Sequence, residues 1–156
     1  SVGCAAPTAS PLPNARPGPR ASSMPERAAP LPPAIQEPIA FQNDLSAATE
    51  RARTEHKLLF VDAWAPWCHT CLSMKAFVFG DAALAPLTGA FVWASIDTEK
   101  PKSEAFLRKF PMKNWPSLWV IDPSSEKPVL KWAGSVTASE LVDPLRDGVP
   151  GVACGG

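Results

Sequence analysis

The sequence predicts an α/β domain, a three-layer α/β/α sandwich around a central mixed sheet. Three observations predict it. Short, almost continuously apolar runs alternate with segments whose apolar residues recur at helical spacing. Late in the chain two such runs flank a turn-rich stretch, which makes them a hairpin. The chain has 156 residues, of which the first 38 carry no core-forming pattern, so one domain of ordinary size remains.

The opening segment comes first in the chain and is the simplest to interpret. Ten of the nineteen prolines fall within the first 40 residues. Residues 1–38 are rich in Pro, Ala, Ser and Arg and poor in large apolar side chains, too poor to offset the entropy of ordering them. A disordered tether is expected, and about 35 residues extended at about 3.1 Å each would reach on the order of 100 Å. The domain is expected over residues 39–148, with a flexible tail over 149–156. Fifteen basic residues balance fifteen acidic ones, so no overall field draws nucleic acid or an acidic membrane to the chain. No run of 18 apolar residues is present to span a bilayer as a helix.

A first helix is expected from Asn43 to about Glu55, with Leu45, Ala48 and Ala52 on one face, Asn43 or Asp44 as cap, and His56 and Lys57 at its end. Leu58-Leu59-Phe60-Val61-Asp62-Ala63-Trp64 reads as a strand covered on both faces, with Asp62 its one exception. Cys68 opens a helix that places Leu72, Ala76 and Phe79 on one face. Gly80 or Asp81 breaks it before a short helix around Ala82 to Leu87. Phe91 to Ile96 makes a second buried strand, followed by a helix from about Lys102 to Phe110. Leu118 to Ile121 and Val129 to Trp132 pair as the hairpin across Asp122-Pro123-Ser124-Ser125. Thr137, with Glu140 three residues on, caps a last helix that runs to near Arg146, and Pro144 bends or ends it.

The pair Cys68-His69-Thr70-Cys71 therefore stands at the first strand-to-helix turn. Helix N-terminal amides and the helix dipole favour a thiolate, the attacking species in disulfide exchange. Cys68 is expected at the exposed helix start and Cys71 three residues inside, shielded. A structural disulfide or half of a zinc site are the rival readings. Four ligands are normally needed for zinc, and no second Cys or His pair lies nearby, so no metal is expected. Asp62 either ends its strand facing solvent or is buried with a raised pKa and a use, since an unpaired buried acid is costly. His69 either tunes the pair, an imidazolium stabilising the Cys68 thiolate, or is a solvated loop residue.

These residues also carry a resemblance. From about Ile39 to Asp147, roughly two thirds of the chain, the sequence resembles the thioredoxin family: Trp67-Cys68-His69-Thr70-Cys71 matches its Trp-Cys-x-x-Cys signature, with Asp62 six residues before and Trp64 between. Trp115-Pro116 matches the cis-proline position and Gly134 the glycine before the last helix. Phe79 and Asp81 are similar to the periplasmic thiol-reducing domain of the transmembrane disulfide interchange proteins. The resemblance implies a thioredoxin-like sandwich with a cis-proline loop, and a protein thiol-disulfide oxidoreductase with no cofactor beyond the Cys68–Cys71 disulfide. There are two departures. His69-Thr70 replaces Gly-Pro, which bears on redox tuning, and Trp93 stands where thioredoxin has a lysine facing the buried aspartate.

The expected mechanism has Cys68 attack a substrate disulfide and Cys71 resolve the mixed disulfide, with Asp62 accepting the Cys71 proton directly or through water. Pro116 is expected to place the Trp115 backbone where an extended substrate strand can pair with it. Trp67 and Trp115 offer an apolar rim for that substrate, and Trp64 is read as core. Ser1-Val2-Gly3-Cys4 resembles the end of a bacterial lipoprotein signal. That resemblance implies acyl chains on Cys4 and an extracytoplasmic, periplasmic and membrane-anchored setting; the alternative is an ordinary thiol. Cys154 is read as a spare thiol or a bridge to Cys4. The expected partners are protein thiols or disulfides and a membrane electron donor, without nucleic acid, and with the membrane reached only through the lipid anchor. The leading reading is a reductase. An oxidase or isomerase, or a non-catalytic binding module on the same fold, are the alternatives.

Overall fold

A computed structural model of the chain describes residues 39–149; the expected tether, Cys4 and Cys154 lie outside the described residues. Four strands form one sheet in the order β2-β1-β3-β4. Strand β1 (Leu58–Trp64) runs parallel to β2 (Phe91–Asp97) on one side and antiparallel to β3 (Ser117–Asp122) on the other, and β3 pairs antiparallel with β4 (Lys127–Ala133). The sheet is therefore mixed, with β1 at its centre.

Period-two alternation along these strands sorts the core into two layers. On one face Leu59, Val61 and Ala63 of β1 and Val92, Ala94 and Ile96 of β2 pack against Ala48 and Ala52 of helix α1 (Leu45–Thr54) and Phe106 of helix α3 (Glu104–Lys109). On the other, Phe60, Phe91, Trp93, Leu118 and Val120 pack against Met74 and Phe79, which follow Cys68 and Cys71, and against Leu141 and Leu145 of helix α4 (Ala138–Asp147). Asp62 shares the pleat of Phe60, so it belongs to this second face.

Local chemistry explains the boundaries. Asp44 caps α1, its carboxylate accepting the Ala47 N–H at 3.0 Å, and His56, at φ 54°, ends it while the Lys57 N–H closes back on the Ala52 carbonyl at 2.9 Å. Two alanines one turn apart let α1 lie close on the sheet. Thr137 and Glu140 form a reciprocal capping box on α4. Pro144 sits inside α4 and does not end it: the helix runs on to Asp147, because Leu141 and Leu145 are fully buried and hold it to the core. Val149, expected in the tail, is 4 % exposed and belongs to the core cluster, so the packed domain extends at least that far.

Two features depart from the sequence expectation. Gln42 forms an isolated parallel bridge with Ala94 at the β2 edge, a single-residue pairing too short to leave a periodic signal. The helix after Cys68 is α-helical only over α2 (His69–Ser73) and continues as a π-helical turn over Met74–Val78. Cys71, Met74 and Phe79 face inward, while Leu72 is 44 % exposed and Ala76 is also exposed; the π turn carries Phe79 inward, its N–H donating to the carbonyl of Met74 five residues back. The expected Leu72, Ala76 and Phe79 face rests on uniform 3.6-residue spacing, which this helix does not keep.

Candidate active site

Cys68 is the N-cap of α2. Its backbone is extended (φ −87°, ψ 98°), its N–H donates to the Ala65 carbonyl at 3.0 Å, and its carbonyl accepts the Leu72 N–H at 3.2 Å. The Cys71 N–H donates to the Cys68 sulfur at 3.1 Å. A cysteine thus occupies the capping position usually held by Ser, Thr, Asp or Asn, and a sulfur there that becomes a thiolate meets an otherwise unpaired helix amide. Cys68 and Cys71 are joined as a disulfide, with Cα atoms 5.2 Å apart.

The pair is more covered than the sequence suggests. Cys71 is 1 % exposed, as expected, but Cys68 is only 6 % exposed instead of standing open at the helix start. The cover comes from Trp64 and Trp115, which pack against the cluster of Ala65, Cys68 and Cys71. Trp115 precedes Pro116 through a cis peptide bond. Its indole N–H donates to Thr98 Oγ1 at 3.0 Å, and Trp67, 57 % exposed, packs its ring at a tilt of 51° with the centroid 5.4 Å from that of Trp115 and donates to Glu99 Oε1 at 3.1 Å. Thr98 and Glu99, just after β2, thus hold both rings in place. Nothing local in the sequence marks them, because the tryptophans they anchor come from other segments of the chain.

Gly134 supports the proline loop from the far side. Its N–H donates to the Pro116 carbonyl at 2.8 Å, and its φ of +91° is one that side-chain-bearing residues rarely adopt. His69 and Thr70 are both exposed on the first turn of α2.

Asp62 is 1 % exposed, so the solvent-facing alternative does not hold. Burial pushes its carboxyl above the usual carboxylate range, and the nearby Lys75 and Ser95 oppose that rise without cancelling it. The Lys75 ammonium donates to Asp62 Oδ2 at 3.1 Å and to Ser95 Oγ at 2.7 Å, while Ser95 Oγ lies 3.3 Å from the same carboxylate oxygen. Ser95 is the register partner of Asp62 across β1 and β2. The cation missing at position 93 is therefore supplied by Lys75, from the helix that carries the cysteines. Trp93 itself is buried, its ring packed against Phe60 with centroids 4.6 Å apart and its N–H donating to the Thr88 carbonyl. Sequence reasoning missed Lys75, although its place four residues after Cys71, one helical turn on, was a usable signal.

A groove of about 630 Å³ lies between α1 and α3, lined by Thr49, Arg53, Lys102 and Phe106 among others, on the opposite face of the sheet from α2; the cysteines take no part in it. Among the described residues no group of His, Cys, Asp and Glu is placed to hold a metal ion. No helix among them is long and apolar enough to cross a membrane.

Together these parts can break and form a sulfur–sulfur bond: a capped sulfur at a helix start, a second sulfur beneath it, and a buried acid tied to the same helix. Similarity to known proteins agrees with the geometry. The sequence model of the thioredoxin-like domain matches residues 45–148. A candidate disulphide-isomerase from Bacteroides thetaiotaomicron superposes with a TM-score of 0.61 at 32 % identity, over 72 % of this chain and 94 % of that one. The reduced DsbD C-terminal domain of Neisseria meningitidis gives 0.55 at 25 % identity over 65 % and 91 %. A Thermus thermophilus thioredoxin gives 0.62 at 24 % over 73 % and 91 %, a likeness of fold. No curated protein matches the sequence. With its fold, its Cys68–Cys71 disulfide and the family match over two thirds of its length, the chain belongs to the thioredoxin-like family and is a protein thiol-disulfide oxidoreductase.

Proposed function

We propose that this protein is a reductase of protein disulfides that works outside the cytoplasm. One observation carries the reading: the Cys68 sulfur caps α2, accepting the Cys71 N–H, beside the cis Trp115–Pro116 loop. Reduced Cys68, as thiolate, attacks a substrate disulfide; one substrate sulfur leaves as thiolate and takes up a proton, and the other stays bound to Cys68. Cys71 passes its proton to Asp62 and attacks the Cys68 sulfur. The Cys68–Cys71 bond forms, the remaining substrate sulfur departs, and the two electrons end on the substrate. An extended substrate strand lies along the Trp115 backbone and rests on Trp67 and Trp115. His69 and Thr70, exposed between the cysteines, tune the potential of the pair.

The direction of electron flow is supported by the similarity to the Neisseria DsbD C-terminal domain. Phe79 and Asp81 add little to it, since Phe79 is core and Asp81 caps the next turn through the Ala83 N–H. The extracytoplasmic setting is supported by the lipoprotein-like Ser1-Val2-Gly3-Cys4 and by the bacterial relatives. In this reading acyl chains on Cys4 tether the domain to a membrane, and a membrane protein returns it to the dithiol form. Equilibration with glutathione buffers tests the direction. A potential near thioredoxin's, about −270 mV, is expected, and one near about −120 mV would make the protein an oxidase. Catalytic turnover of insulin disulfides is expected as well; a static binding module would show none. Mass spectrometry of the native protein with an unmodified Cys4 would remove the anchor.

A further inference from the structure

We infer that Lys75 is a positioning residue for the second half of the reaction: it holds the Asp62 carboxylate ready to take the Cys71 proton, and so sets the pH at which the mixed disulfide resolves. The inference rests on the reductase reading and adds to it a residue and a pH dependence.

The geometry that supports it is specific. A lysine on a surface helix normally extends into water, yet the Lys75 side chain is only 29 % exposed and turns inward. Its ammonium is enclosed by Asp62 Oδ2 at 3.1 Å, Ser95 Oγ at 2.7 Å, the Trp64 ring at 4.5 Å and the Phe41 ring at 5.6 Å. Those four partners come from the end and middle of β1, from β2 and from the segment before α1, so several elements converge on one charge. The π-helical turn Met74–Val78 contains Lys75, and π turns inside helices are frequent at functional sites. Lys75 lies one helical turn beyond Cys71, so the ammonium and the second sulfur ride on the same short helix.

The groups that meet Asp62 are few. Lys75 brings the charge from the helix, Ser95 faces it as a neutral hydroxyl from β2, and Leu118 is its register partner on β3. The Cys71 thiol, freed when the disulfide opens, is the other titrating group on that helix. An opposite charge in contact favours the ionised carboxylate. Without Lys75, Asp62 keeps its own proton to higher pH and cannot receive that of Cys71. With it, the acid is unprotonated over a wider range and is free to receive that proton.

Two readouts test this on the reduced full chain. The first is the carbon-13 carboxyl titration of Asp62 in the wild type, Lys75→Met and Lys75→Arg. The second is kcat for insulin reduction at saturating substrate, measured from roughly pH 5 to 9 to find its acid limb. In Lys75→Met, Asp62 is expected to titrate at higher pH, the acid limb of kcat to move up with it, and kcat near neutrality to fall on the order of tenfold with KM unchanged. Lys75→Arg should return both towards the wild type. Lys75→Gln replaces Lys75→Met if the latter does not fold. An Asp62 titration that ignores the substitution overturns the inference, and so does an acid limb that stays in place while the titration moves. Wild-type protein that reduces no disulfide fails the reductase reading first and this inference with it.

Discussion

The Lys75 ammonium and the Asp62 carboxylate meet at 3.1 Å, although the lysine stands on the cysteine-bearing helix and the aspartate in the middle of the central strand. The pair joins the sheet to the one element whose chemistry changes during turnover. It also leaves a measurable trace in stability.

Burial holds the Asp62 pKa above its ordinary value of 3.8 in spite of Lys75. The folded state then binds this proton more tightly than the unfolded state does. Stability is fullest below the ordinary carboxylate pKa and falls as pH rises through the raised one, with a slope of at most about 1.4 kcal/mol per pH unit from this group. Asp62→Asn should remove that slope and be more stable than the wild type above the raised pKa. Urea melts at a series of pH values measure the difference; a pH-independent gap between the two proteins would contradict it.

The two sulfurs should behave differently. Cys71→Ser is expected to accumulate a mixed disulfide with substrate on Cys68, visible by mass spectrometry, because nothing resolves it. Cys68→Ser should trap none. The exposures of 6 % for Cys68 and 1 % for Cys71 predict that mild alkylation of the reduced protein labels Cys68 first. Equal labelling would argue against the assignment of attacking and resolving roles.

Gly134→Ala should cost about 1–2 kcal/mol, since an added Cβ meets open space and the penalty is that of a positive φ. Chemical denaturation gives the value. Because the Gly134 N–H braces the Pro116 carbonyl, the variant should also lose turnover beyond its loss of stability.

Trp67→Ala should leave stability within about 0.5 kcal/mol, as expected for an exposed surface residue, and raise KM for a protein substrate several-fold. A low-molecular-weight disulfide should be reduced at nearly the wild-type rate. If both substrates suffer equally, Trp67 serves the sulfur chemistry and not the substrate rim.

Val149→Ala should destabilise the domain by roughly 1.5 kcal/mol, two carbons at about 0.8 kcal/mol each, if the packed unit reaches that residue. No loss on thermal melting would return Val149 to the tail.

Much of the fold and the site is legible in the chain. Asp62 stands out as one charge within an apolar run, and the run itself points to its burial. Thr137 and Glu140 announce their capping box, and Gly134 the turn before α4, because capping and backbone conformation are local chemistry. The inward face of the cysteine helix is not legible, because a π-helical turn breaks the spacing by which such faces are recognised.

The sequence alone therefore determined the order of strands and helices, the position of the cysteine pair at a helix start and the place of an aspartate within an apolar strand. Each of these follows from hydrophobic period and from residues acting on their immediate neighbours. Only the tertiary structure decided that Lys75 answers Asp62, that Thr98 and Glu99 anchor the two tryptophans, and that Cys68 is sheltered. Those contacts join residues far apart in sequence, and their geometry is set by how helices pack on a sheet, which no local pattern of residue types records.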